Sequence, residues 1–396
     1  TVVLPSLCSL PMTTTAPVSD PVSRARSLRG LIEEEARTTE HDRTMTPRVF
    51  DALRDAGLFW VQVPAELGGG EVDIRTALGV YEELAYADGS TGWSLMANAT
   101  SSCFAGIYLP DAGAHAMFGE DGLGIHAGML GPIGSGVLDG DAYVVTGEYR
   151  FGSGSGHANW FGAGFMETRD GEPVTAESGM PAMRVAFVPR DHVELRDGWH
   201  VLGLQGTGSF DYAIADERID PAFTFPLLES EQQRGGANFR IGLFGITAGG
   251  HAGFALGVGR RALDEVLDIA RRKQRLGGDP IADQQLFQHD FAMHDGAMRA
   301  ARAFTYEAFE QAEFTAIAEG APTPVEAQRM RQATTYATRV AADAARFAYT
   351  WSGSDGLREP SVIGRCFRDI SAGTQHLYVD NNTLTAYSST LLLFGD

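Results

Sequence analysis

His376 lies seven residues after Asp369 and four before Asp380, a spacing that puts all three side chains on one face of a continuous helix. A carboxylate beside an imidazole fixes its tautomer and favours the imidazolium, a proton donor near neutral pH. The competing reading is a buried histidine bonded to a backbone carbonyl. Ser153 sits in the glycine-rich run Phe151-Gly152-Ser153-Gly154, where its hydroxyl either faces a ligand or bonds within its own turn. His126 and His157 flank that region, and Trp93, in GSTGW, is large enough to wall a pocket or to fill a core.

Other chemistries are poorly served. The ten histidines show no HxxxH or HExxH spacing and no paired ExxH helices, so neither a zinc site nor a di-iron bundle is expected. GAGF and GTGSF lack the strand-GxGxxG-helix context of a nicotinamide site. Cys8, Cys103 and Cys366 form no CxxC pair, which argues against a disulfide framework and fits a reducing cytoplasm. The formal net charge of -20 repels phosphate backbones and anionic lipid, so neither nucleic acid nor a membrane is an expected partner.

These residues need a scaffold, and 396 residues with 44% hydrophobic content provide for two or three domains or one large composite fold. Met12 is a plausible start, which makes the first 11 residues an upstream extension without function, and residues 1–23 read as a disordered or appended tail. Residues 24–123 read as helical. Thr46 is a candidate N-cap with Pro47 at the first helical position, Gly57 a left-handed stop, and a second helical region runs from about Ile74 through Leu109. Residues 124–230 alternate in short segments broken by Gly, Asp and Pro, as expected of a β-barrel or sandwich. Residues 231–396 read as a helical bundle. One long helix opens at Asp279-Pro280 and stops at Glu319-Gly320, and Thr323-Pro324-Val325-Glu326 has capping-box spacing.

This order of helices, strands and helices, with the strings LRDAGLFWVQVPAELGG, TGEYRFGSGSGHANWFGAG, GLQGTGSFDYAIADERIDP and RALDEVLDIARRKQRLGGDPIADQQLFQH, resembles the acyl-CoA dehydrogenase superfamily over residues 24 to 392. The resemblance implies an α+β fold: an N-terminal helical domain, a middle β-domain and a C-terminal helical bundle. A dehydrogenase needs a carboxylate base over the flavin. In the family's register that base falls at Leu377, with His376 at the preceding tyrosine, and the alternative base position falls at Thr247. Neither is a base. The chain instead resembles the flavin-dependent monooxygenase branch, whose FxSG, GTGS and RDxxxxxQH patterns are matched by Phe151-Gly152-Ser153-Gly154, by Gly206-Thr207-Gly208-Ser209, and by Arg368-Asp369 with Gln375-His376.

That branch implies the oxygenase component of a two-component system. Reduced FMN or FAD, delivered by a separate flavin reductase or reduced through weak direct nicotinamide contact, reacts with dioxygen to form a C4a-(hydro)peroxyflavin. This species hydroxylates a small or polycyclic, aromatic organic substrate where water is excluded, without a metal. The resemblance makes His376 and Ser153 catalytic and assigns flavin contacts to Phe151, Ser153, Gly154, Met129, Leu130, Thr207 and Ser209. Phe151 takes the place where dehydrogenases often carry Trp against the ring. Trp93, His126 and His157 are assigned to the substrate pocket. Lys273 near the family's arginine position, and Leu276 in place of its phenylalanine, lean toward FMN. The Ala-rich C-terminal helices imply a homotetramer. The alternatives are a dehydrogenase with an unassigned base and a non-catalytic flavin-fold subunit.

Overall fold

A computed structural model describes residues 20–119, 123–196, 198–274 and 278–395. Residues 1–19 and Leu276 therefore lie outside it. The helical N-terminal part comprises α1 (Pro21–Ser27), α2 (Arg29–Asp42), α3 (Pro47–Asp55), α4 (Ile74–Ala87), α5 (Gly89–Tyr108) and α6 (Asp111–Met117). Thr46 caps α3 by accepting Val49 N–H, and Gly57 adopts the left-handed stop with φ 70°. The helical region expected from Ile74 to Leu109 is built of two helices. The Asp88 side chain accepts Thr91 N–H and starts α5 afresh, because a short carboxylate satisfies the orphan donors of a new first turn better than it continues an old helix.

The strands are β1 (His126–Asp139), β2 (Ala142–Gly152), β3 (Trp160–Arg169), β4 (Glu172–Pro173), β5 (Met183–Pro189), β6 (Glu194–Arg196), β7 (Phe210–Ile219) and β8 (Thr224–Pro226). They form one mixed sheet in the order β6-β7-β2-β1-β3-β5-β8, with β4 added on β3. The β1 and β3 strands run parallel and the other pairs antiparallel. Opposite Gly164, β1 bulges over residues 130–133. Alternation in sequence shows that strands exist and which face is buried, but not their pairing, so the parallel neighbour and the single mixed sheet emerge only in three dimensions.

The C-terminal bundle contains α7 (Gly242–Arg272), α8 (Gln285–Glu319), α9 (Pro324–Ser352), α10 (Ser354–Leu357), α11 (Val362–Gly373) and α12 (Asn381–Phe394). Both hydrogen bonds of the Thr323/Glu326 capping box are present at the start of α9. The long helix begins at Gln285, later than expected. Pro280 instead forms a β-bridge to Gln274, and residues 281–283 make a 3-10 turn. The Gly- and Ala-rich α7 is packed tightly on α4: a Cβ at Gly257 would lie 2.3 Å from the Glu82 carbonyl oxygen. Its apolar stretch is long enough to cross a membrane, but 78% of it is buried inside the protein, as expected of a core helix.

Candidate active site

Three segments distant in sequence meet around Trp93. It stands on α5 with only 8% of its surface exposed. Its ring edge meets His251 and Phe254 of α7, both with centroids at 4.9 Å, and His376 at 5.7 Å. His251 and His376 are 4.1 Å apart, and Tyr378 lies 5.7 Å from each. On the β side, Trp93 Nε1 donates to Ser153 Oγ at 3.0 Å, and Ser153 Oγ is bonded to Ser209 Oγ at 2.8 Å. Tryptophan Nε1 is a donor only, so it ties the turn after β2 to the helical wall.

Each side chain is held by local structure. Phe151 has a left-handed backbone, φ 62°, and the residue is 58% exposed. A bulky residue in that region stores strain that the surrounding fold must support. Here the Phe151 N–H donates to Asp211 Oδ1, and Trp199 meets the ring edge-on at 6.2 Å. Gly154, φ 77°, packs on Asn98 so closely that a Cβ would come within 2.3 Å of its amide oxygen. That same Asn98 oxygen accepts from His157 Nε2 at 2.8 Å. Ser209 also bonds Thr207, at 2.6 Å.

The helix face expected to join Asp369, His376 and Asp380 does not exist. The α11 helix ends at Gly373, which lies against Phe254 and Trp93, and Asp380 is the N-cap of α12. His376 occupies the turn between them, where its Nδ1 accepts Tyr378 N–H at 3.3 Å. The neutral ring therefore carries its proton on Nε2. Among the described residues no carboxylate favours the imidazolium: burial pushes the His376 pKa down to about 4, and burial together with the neighbouring His376 holds that of His251 well below its ordinary value. At neutral pH both rings are uncharged, and the hydrogen His376 has to donate is the one on Nε2.

The remaining expected residues are distributed as follows. Met129 and Leu130 lie at the β1 bulge, the Met129 N–H donating to Tyr212 Oη at 2.7 Å. His126 is fully buried between Phe118 and Phe187, with Nδ1 bonded to Ser102 and its pKa pushed to about 3 by burial. His157 packs on Phe50 and Phe59. The structure thus brings Trp93, Ser153, Thr207, Ser209 and His376 together, and keeps His126 apart from them. His251 and Tyr378 were not anticipated. The only signal for His251 was a single imidazole within the apolar run GITAGGHAGFALG.

Two further features are structural. A surface groove between α4, α7 and α8 is crossed by the ion pairs Arg260–Asp264, Arg260–Asp295 and Arg302–Glu82. Lys273, near the family's arginine position, donates to the Ser352 carbonyl oxygen and pairs with Asp355.

Residues 25–110 match the family described as acyl-CoA dehydrogenase, N-terminal domain, and residues 249–381 the acyl-CoA dehydrogenase, C-terminal domain. The indole-3-acetate monooxygenase of Pseudomonas putida is 30% identical over 400 residues, covering 98% of this chain and 97% of its own. The flavin-dependent monooxygenase oxygenase subunit HsaA of Mycobacterium tuberculosis is 30% identical over 185 residues, 47% of this chain and 45% of its own. In fold, the chain superposes on XiaF from Streptomyces, solved in complex with FADH2 and glycerol, with a TM-score of 0.86, 20% identity, and coverage of 95% and 96%. The two matched domains, the near full-length likeness to a monooxygenase and the absence of a base at Leu377 and Thr247 agree: the chain belongs to the acyl-CoA dehydrogenase superfamily, in its branch of flavin-dependent monooxygenases.

Proposed function

We propose that this enzyme is an oxygenase component that takes reduced FMN or FAD from a separate flavin reductase and hydroxylates an aromatic substrate held against Trp93, His251, Phe254 and Tyr378. The observation that carries this reading is the meeting of Ser153 and a neutral, Nε2-protonated His376 across the Trp93 ring. These residues fit a flavin. Phe151 is largely exposed two residues before Ser153, whose Oγ is bonded to Trp93 Nε1 and Ser209 Oγ and can still take a further hydrogen bond.

Bound reduced flavin supplies the electrons that activate dioxygen, one oxygen atom going to the substrate and the other to water. The protein's part is positional. Ser153 Oγ would meet the cofactor edge. His376 Nε2–H would donate to a polar group of the substrate or to the reacting oxygen, and the aromatic walls would exclude water. Thr207, Ser209 and Gly154 hold the turn that carries Ser153, and Met129 and Leu130 would line the cofactor from the β1 bulge. We assign no chemical role to His126 or His157, whose burial and partners support a structural one. Buried thiols at Cys103 and Cys366 and dependence on delivered reduced flavin favour a cytoplasmic setting.

The test is reconstitution. With NADH and oxidised flavin alone the protein should turn over negligibly, and adding a flavin reductase should start hydroxylation of aromatic substrates such as indole-3-acetate or a resorcinol. Full activity without a reductase would sink the two-component reading, and bleaching of bound flavin by an acyl-CoA under anaerobic conditions would replace it with a dehydrogenase.

A further inference from the structure

The hydroxyls behind Ser153 form a chain whose direction is set at both ends. At one end Trp93 Nε1 can only donate, and it donates to Ser153 Oγ at 3.0 Å. At the other end the Leu204 carbonyl can only accept, and it receives the Thr207 hydroxyl at 2.9 Å. Between them Thr207 bonds Ser209 at 2.6 Å and Ser209 bonds Ser153 at 2.8 Å. A hydroxyl has one hydrogen. With Thr207's placed on Leu204, Ser209 must donate to Thr207, and Ser153 must donate to Ser209. Ser153 Oγ therefore faces outward as an acceptor, with its hydrogen turned inward. Thr207 and Ser209 are both almost wholly buried, so water does not scramble the order.

We propose that Thr207 and Ser209 are positioning residues that hold Ser153 Oγ in this accepting state, so that the site discriminates by hydrogen-bond direction between two redox states of one cofactor. This rests on the reading that Ser153 faces the flavin N5 edge. Reduced flavin bears a hydrogen on N5 and finds a lone pair. Oxidised flavin presents a bare N5 and meets a second acceptor. For Ser153 to donate outward, all three hydroxyls must turn over and the Leu204 carbonyl must lose the Thr207 hydrogen. One buried hydrogen bond corresponds to about tenfold in the ratio of oxidised to reduced dissociation constants.

The experiment measures dissociation constants for oxidised FMN and FAD in air and for the reduced forms anaerobically, together with the midpoint potential of the bound flavin. Thr207→Val and Ser209→Ala each free Ser153 to reorient. Both should tighten oxidised flavin, narrow the ratio about tenfold, and lower the potential by about 30 mV for that two-electron couple. Thr207→Ser restores the hydroxyl and should restore the ratio, which a merely structural role for Thr207 would not require. Ser153→Ala separates the two layers of the argument. If it changes the ratio while Thr207→Val and Ser209→Ala do not, the chain does not orient Ser153 and the proposal is wrong. If all three leave the ratio unchanged, Ser153 does not face N5, and the site reading falls with the proposal.

Discussion

Asp369, near the end of α11, accepts the backbone N–H of Leu204 at 2.6 Å, fixing the C-terminal bundle to the turn that precedes β7. Leu204 is left-handed, φ 58°, and its carbonyl receives the Thr207 hydroxyl. The Arg368-Asp369 pair and the Gly206-Thr207-Gly208-Ser209 turn, separated by more than 150 residues of sequence, are thus one mechanical unit ending at Ser153.

Asp369 is fully buried beside Asp88, and burial with that neighbouring carboxylate raises its pKa, so the protonated form is favoured. Asp369→Asn keeps a neutral acceptor for Leu204 and should cost less than about 1 kcal/mol, whereas Asp369→Ala strands a buried N–H and should cost about 1–3 kcal/mol. Denaturant unfolding of the two variants checks this. Equal losses would show that the contact does not hold the turn.

His376→Ala removes the Nε2–H donor from a water-poor site, an effect of about 100- to 1000-fold on the transition state. The variant should fold, bind flavin within a few-fold of wild type, and release hydrogen peroxide in place of hydroxylated product. Ser153→Ala should likewise uncouple. Product and peroxide are measured per reduced flavin consumed, and unchanged coupling in both variants would remove these residues from the chemistry.

Stability should fall on acidification. His126, His157, His251 and His376 are held neutral by burial, with pKa values near 3 for His126 and near 4 for His157 and His376, while the unfolded chain protonates them at about 6.5. Their contribution is present above about pH 6.5 and lost as pH drops below it. Glu313, raised to about 7 by burial, and Asp369, also raised, act in the opposite sense. Four histidines against two carboxyls leave the unfolded state with about two more protons between pH 6.5 and 4.5, a loss of up to about 2–3 kcal/mol per pH unit. Thermal unfolding at pH 7.0 and 5.0 should show a Tm several degrees lower in acid, and a flat or rising Tm would contradict the assignment.

Large apolar side chains stand exposed on α8 (Leu286, Met293, Phe314) and at the end of α12 (Leu392, Leu393, Phe394). Apolar surface of this kind calls for a partner, and we propose that the bundles of four copies cover it. Light scattering at micromolar concentration should give a tetramer, and a monomer would reject it.

Some of this molecule was legible one residue at a time. Thr46, Gly57 and the Thr323/Glu326 box act through neighbours three or four positions away, and local chemistry alone specifies them. The FGSG and GTGS runs and the missing base at Leu377 likewise pointed to a flavin branch before any contact was known. Contacts between distant segments were not legible, because nothing in a linear string says which turn of which helix will face which strand. The His376 surroundings are the clearest case. Spacing suggested two carboxylates on one helix face, but α11 stops at Gly373 against Phe254 and Trp93, and the ring instead meets His251, 125 residues away in sequence. Packing decided where the helix ended, and burial, with no carboxylate beside the ring, decided that the imidazole is neutral.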